Sequence, residues 1–124
     1  PGLLFPAPDR LADADLRGIG LPGARAAAIS GLARAVADGR LDLETPGSSD
    51  TLDVLRSLPG VGEWTAQYVA MRALRDPDAF LPTDLGVLRA LAEGGGRPSP
   101  RDVARRAERW RPFRAYALML LWLA

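Results

Sequence analysis

Chemistry in this 124-residue chain has few side chains to draw on. It holds 16 Arg, no Lys, no Cys and no His, against 15 acids. A thiolate nucleophile, a disulfide framework, an iron–sulfur cluster, an imidazole or thiolate metal site and a Ser-His-Asp triad are therefore excluded. A Schiff base on a lysine side chain is excluded too. Carboxylates, hydroxyls, guanidinium groups and the backbone remain. Leu58-Pro-Gly-Val-Gly62 is a tight turn ahead of a helix starting at Glu63. Its N–H groups and the helix dipole suit an anion such as phosphate, and a plain helix-to-helix connection is the alternative. Trp64, Tyr68 and Met71 share a face at helical spacing, and Trp122 lies on a later apolar helix, where packing in the core is the ordinary role. Asp84 opens a helix after Phe80-Leu-Pro-Thr, a position that N-capping alone explains.

Helices position these groups. The pattern predicts helices over Pro8–Ala14, Pro22–Asp38 closed by Gly39, Ser49 or Asp50 to Ser57, and Glu63–Leu74. Further helices are expected from Pro82 through Leu91, from Ser99-Pro100 through Arg109, and from Pro112 to the end, with Trp110 and Phe113 packing the last two together. Glu44–Asp50 reads as a polar linker. No segment alternates as a strand should, so the fold class is all-α. Length and an apolar share of 48% point to one domain over residues 1–124.

Charge is unevenly spread. Residues 1–62 carry six Arg against eight acids, while residues 97–124 carry seven Arg against two. Such asymmetry suits an anionic partner, or merely a solvated helix face. The apolar run 115–124 is too short to cross a bilayer, and the N-terminus lacks a signal peptide's basic start. The expected location is cytoplasmic and nucleoid-associated. A chain that begins with Pro1 and ends in an apolar run reads as a piece of a larger protein.

Leu58-Pro-Gly-Val-Gly-Glu-Trp-Thr-Ala-Gln-Tyr68, followed by Phe80-Leu-Pro-Thr-Asp84, resembles the helix-hairpin-helix DNA glycosylase superfamily. Glu108-Arg-Trp-Arg-Pro-Phe-Arg-Ala-Tyr-Ala117, the closing Leu-Trp122 and Phe5-Pro-Ala-Pro-Asp-Arg-Leu11 resemble its AlkA branch, the bacterial 3-methyladenine DNA glycosylases. The resemblance implies that fold, incomplete on its N-terminal side, and release of alkylated bases from double-stranded DNA by a monomer. It implies Asp84 as the catalytic carboxylate, set beneath the positive charge that grows on the sugar as the glycosidic bond breaks. It implies Trp64, Tyr68, Trp122 and Leu85 as the base pocket, whose rings attract a cationic base. Leu85 stands where a well-known member has a tyrosine. DNA contacts fall to Gly60, Val61, Gly62 and Thr65 at the hairpin and to Arg111 and Arg114, with Asp78 left at the surface. No cofactor is implied beyond a monovalent cation on the backbone carbonyls of Arg56, Leu58 and Val61. Strand-cutting members carry a lysine where Trp64 stands, so base removal without lyase activity is expected. A non-catalytic helix-hairpin-helix DNA-binding module would keep the hairpin and the arginines with no use for Asp84. A purely structural helical repeat would use the aromatics only as core.

Overall fold

The structure, a computed structural model, describes residues 2–45 and 49–124. Among them are seven α-helices, two short 3-10 turns and an isolated bridge between Glu93 and Gly96, with no strand. The chain is all-α, as expected. It divides into two compact units, residues 1–62 and 63–124. No described helix is long and apolar enough to cross a membrane.

The first unit contains α1 (Pro8–Asp13), a 3-10 turn (Leu16–Ile19), α2 (Gly23–Ala37) and α3 (Ser49–Ser57). Part of the predicted linker, residues 46–48, lies outside the described residues. The 3-10 turn was not foreseen; the Asp15 carboxylate begins it by accepting the Arg17 N–H at 3.1 Å. Gly39 ends α2 as expected, with φ +76°. There the Arg40 N–H donates to the Ala35 carbonyl and the Gly39 N–H to Val36, a Schellman closure. Alanines make α2 slim, and the hairpin exploits that: a Cβ on Gly60 would stand 2.7 Å from the Ala28 Cβ. Glycine at 60 is thus required both by close approach and by its φ of +83°.

The second unit contains α4 (Glu63–Arg72), α5 (Leu85–Ala90), α6 (Pro100–Ala107), a 3-10 turn (Glu108–Trp110) and α7 (Arg114–Leu123). Ala66, Ala70, Met71, Phe80, Leu81, Val87, Val103 and Leu118 form its core. The expected Trp64–Tyr68–Met71 face therefore divides, with Met71 buried and Trp64 exposed. Helix α4 stops before Leu74 because Arg75, at φ +56°, turns the chain and the Asp76 N–H closes on the Ala70 carbonyl. Residues 82–84 form a turn instead of helix, since the Asp84 N–H donates to the Leu81 carbonyl. Phe113 does not join the last two helices; it is 58% exposed, edge-on to Tyr116, whereas Trp110 packs edge-on against buried Phe80.

Candidate active site

The loop entering α5 is pinned before it reaches Asp84. Asp78 was expected at the surface, yet its side chain is only 21% exposed. Arg114 grips it through Nε at 2.9 Å and Nη2 at 3.1 Å, and Arg111 adds a contact of 2.6 Å. The backbone N–H of Arg114 also donates to it, and Glu108 binds Arg111 from the far side. Burial alone would raise the Asp78 pKa, but the two guanidinium groups outweigh it and hold the carboxyl below the usual range. Phe80 and Leu81 are buried next in the chain, and the Phe80 N–H reaches the Gln67 side chain.

This anchorage delivers Asp84 to the start of α5, where Oδ1 accepts the Val87 N–H at 3.1 Å. The capping role is therefore real. It uses one oxygen, and two indoles converge on the same carboxylate. Trp122 Nε1 of α7 donates to Oδ1 at 2.9 Å, and Trp64 Nε1 of α4 donates to Oδ2 at 3.2 Å. Burial pushes the Asp84 pKa up, but these indole N–H groups and the amides of Val87 and Gly86 outweigh it, leaving the pKa below the ordinary carboxylate value. At neutral pH the group is an anion held by neutral donors, with no arginine paired to it among the described residues.

Rings surround it. Trp64 and Tyr68 stack with centroids 5.0 Å apart, and Tyr68 and Trp122 meet at 6.5 Å. Arg72, which sequence reasoning passed over, stands over both Tyr68 and Trp122 at 5.7 and 6.0 Å. Tyr68 is thus flanked by side chains one turn before and one turn after it. A cavity of about 440 Å³ is lined by Gly86, Arg89, Ala90, Leu121, Trp122 and Ala124, and of the ring and carboxylate groups only Trp122 reaches it. Leu85, expected as a pocket wall, is 56% exposed and does not line that cavity.

The other expected residues scatter. In the first unit Val61 departs from the outward-pointing amides predicted for the hairpin, because its N–H donates to the Leu58 carbonyl at 3.1 Å. Gly60 and Gly62 keep amides with no backbone acceptor among the described residues, and open space surrounds Gly62. Thr65, half-buried, sits in the first turn of α4. Arg111 and Arg114 are committed to Asp78 and Glu108, while Arg97, Arg101 and Arg109 have no ion pair among the described residues. A cavity of about 680 Å³ in the first unit is lined mainly by apolar side chains such as Phe5, Leu11, Ile29 and Leu32. Its acid Asp42 is spent on the N–H groups of Glu44 and Thr45.

No family model matches the chain. It is 40% identical over 124 residues to DNA-3-methyladenine glycosylase 2 of Escherichia coli, an alignment covering 97% of this chain and 43% of that protein. It is 42% identical over 120 residues to a probable bifunctional transcriptional activator/DNA repair enzyme AlkA of Mycobacterium tuberculosis, covering 95% and 24%. Among solved structures, the 3-methyladenine DNA glycosylase Mag1 of Schizosaccharomyces pombe, in complex with abasic DNA, superposes with a TM-score of 0.76 at 24% identity, over 95% of this chain and 62% of that one. The chain spans less than half the length of the curated relatives it matches. Over nearly all its residues the chain is a homologue of one segment of the DNA-3-methyladenine glycosylases, AlkA among them, and it has the helix-hairpin-helix glycosylase fold.

Proposed function

We propose that the protein is a monofunctional DNA glycosylase that hydrolyses the N-glycosidic bond of alkylated bases, of the 3-methyladenine type, in double-stranded DNA. The observation that carries this reading is the ionised Asp84 carboxylate, held by two indole N–H groups and, among the described residues, cancelled by no cation. As the bond breaks, its electron pair leaves with the base and positive charge grows on the sugar. A fixed carboxylate stabilises that charge more in the transition state than in the ground state. Water then adds at the sugar carbon and gives up its proton to solvent, completing the hydroxyl. An N-alkylated purine is already cationic and leaves as a neutral base, so no general acid is needed from a chain without His.

The indole of Trp64 contacts Asp84 where the resemblance would put a lysine in strand-cutting members. With no lysine amine there, base removal ends at an abasic site. The hairpin is proposed to grip one DNA phosphate through the amides of Gly60 and Gly62, and Thr65 in the first turn of α4 is proposed as a separate DNA contact. Its carbonyls at Arg56, Leu58 and Val61 are neutral oxygens at the negative end of α3 and suit a monovalent cation. Leu58 spends one lone pair on the Val61 N–H and keeps the other. Such an ion would lend positive charge toward the phosphate. Trp122 and Tyr68 supply the rings for the base, and a cationic base must take the place of Arg72 over them.

The test is release of free base from alkylated duplex DNA, read with and without alkali. Base release with strand breaks only after alkali is the expected result. Breaks without alkali would overturn the monofunctional reading. Duplex binding with no base release would favour the non-catalytic module.

A further inference from the structure

Gly86 lies inside α5, where glycine costs about 1 kcal/mol relative to alanine. Its backbone does not ask for glycine, since its φ is not among the positive ones. What asks for it is space. A Cβ there would stand 3.0 Å from Asp84 Oδ1, 3.1 Å from Trp122 Cδ1 and 3.4 Å from Trp122 Nε1. Both atoms of the 2.9 Å hydrogen bond between Trp122 and Asp84 therefore lie against the bare Cα of Gly86.

We infer that Gly86 is a positioning residue: having no side chain, it lets the Trp122 indole close on Asp84 and fixes the carboxylate's orientation. A methyl group at 86 would have to displace one partner by a few tenths of an ångström. Val87 holds the Asp84 carboxylate from the helix start, so the indole is the partner that gives way. Loss of that donor weakens the forces opposing burial at Asp84, and the carboxyl becomes a weaker acid. The kinetic consequence rests on the glycosylase reading above. The structural consequence does not.

The experiment uses Gly86→Ala, Trp122→Phe and the double variant in the full chain. Gly86→Ala is expected to move the Trp122 indole N–H resonance upfield and the Asp84 carboxyl titration to higher pH. Base release should fall about 10-fold in kcat with KM within twofold, the scale of one lost hydrogen bond to a charged group. Thermal stability should change little, because the helix preference for alanine offsets much of the lost hydrogen bond. Trp122→Phe should shift the Asp84 titration in the same direction, and adding Gly86→Ala to it should cost less than about twofold more. An unmoved indole resonance, or an undiminished Gly86→Ala effect in the Trp122→Phe background, would overturn the inference. Both spectroscopic shifts in a protein that releases no base would sink the glycosylase reading and keep the inference.

Discussion

Asp78 and Asp84 sit on one loop, and both carboxyls lie below the usual pKa range against the pull of burial. They get there by opposite means. Asp78 is met by two guanidinium groups, so its charge is cancelled where it stands. Asp84 is met by indole and amide N–H dipoles, which stabilise an anion but leave its net charge intact. A cancelled charge can hold two segments together and has little left for a newcomer. An uncancelled one still attracts a cation, and a breaking glycosidic bond supplies one. The contrast separates the anchor from the proposed reactive centre without appeal to position in the sequence.

The sharpest way to break that contrast is to remove each charge in turn. Asp84→Asn should lower base release about 10²- to 10³-fold, the usual scale for a lost electrostatic contact in the transition state. Melting temperature should fall only modestly, since Asn caps nearly as well as Asp but its NH2 group cannot accept from the second indole. Asp78→Ala should do the reverse. It leaves Arg114, whose side chain is 17% exposed, with Glu108 at 3.6 Å in place of its bidentate partner, and should cost about 1–3 kcal/mol of stability. Calorimetry and base-release assays on both variants decide the matter: a stability loss at Asp84 as large as that at Asp78, or a rate loss in folded Asp78→Ala as large as that of Asp84→Asn, would erase the distinction. Acid adds a second reading. Both groups have folded pKa values below the unfolded value of about 3.9, so their stabilisation is complete above that pH and is lost as pH falls through the folded values. Base release should accordingly stay flat down to about pH 4 and fall only below it.

Much of this architecture was legible beforehand, and the reasons differ by residue. Gly39 marks the end of α2 and Asp84 the start of α5 because capping is local chemistry, readable within a few residues. The hairpin glycines follow the same logic only in part. Gly60 is forced by its φ and by α2, whereas Val61 turns its N–H inward, a detail of turn geometry that composition does not carry. Arg111 and Arg114 read as a phosphate track because nothing local reveals that Asp78, far away in sequence, is withdrawn from solvent to receive them. Gly86 was invisible for a like reason: the ring it accommodates arrives from α7.

Arg72 sharpens the contrast at smaller scale, since it is a cation already resting on the ring faces proposed for a cationic base. It has no acid partner among the described residues, so the rings and solvent are what hold it. Arg72→Met keeps most of the aliphatic stem and removes the competitor. The ratio of kcat/KM for cationic over neutral alkylated bases should rise about 2- to 30-fold, the range of a cation–π contact. An unchanged or lower ratio would mean that Arg72 leaves the rings before the base arrives.

The smallest expected effect concerns the arginines that are not cancelled. A guanidinium already bound to a carboxylate gains little from a phosphate, because it must first give up its partner, and releasing that partner uncovers a negative charge beside the DNA. Arg111 and Arg114 are in that position; Arg101 and Arg109 are exposed and unpaired among the described residues. Each phosphate neutralised by DNA binding contributes roughly 0.9 to the slope of log K against log salt. Arg101→Ala and Arg109→Ala should therefore each flatten the slope by about that amount, uniformly across sequences, because phosphate contacts carry no base information. Arg111→Ala should leave the slope unchanged while slightly lowering thermal stability, since Asp78 loses one of its two guanidinium groups and keeps Arg114. Salt titrations of duplex binding with the three variants distinguish the cases. A flattened slope in Arg111→Ala alone would mean that DNA outcompetes Asp78 for its guanidinium, making the anchor part of the binding surface and ending the division of labour between the two carboxylates.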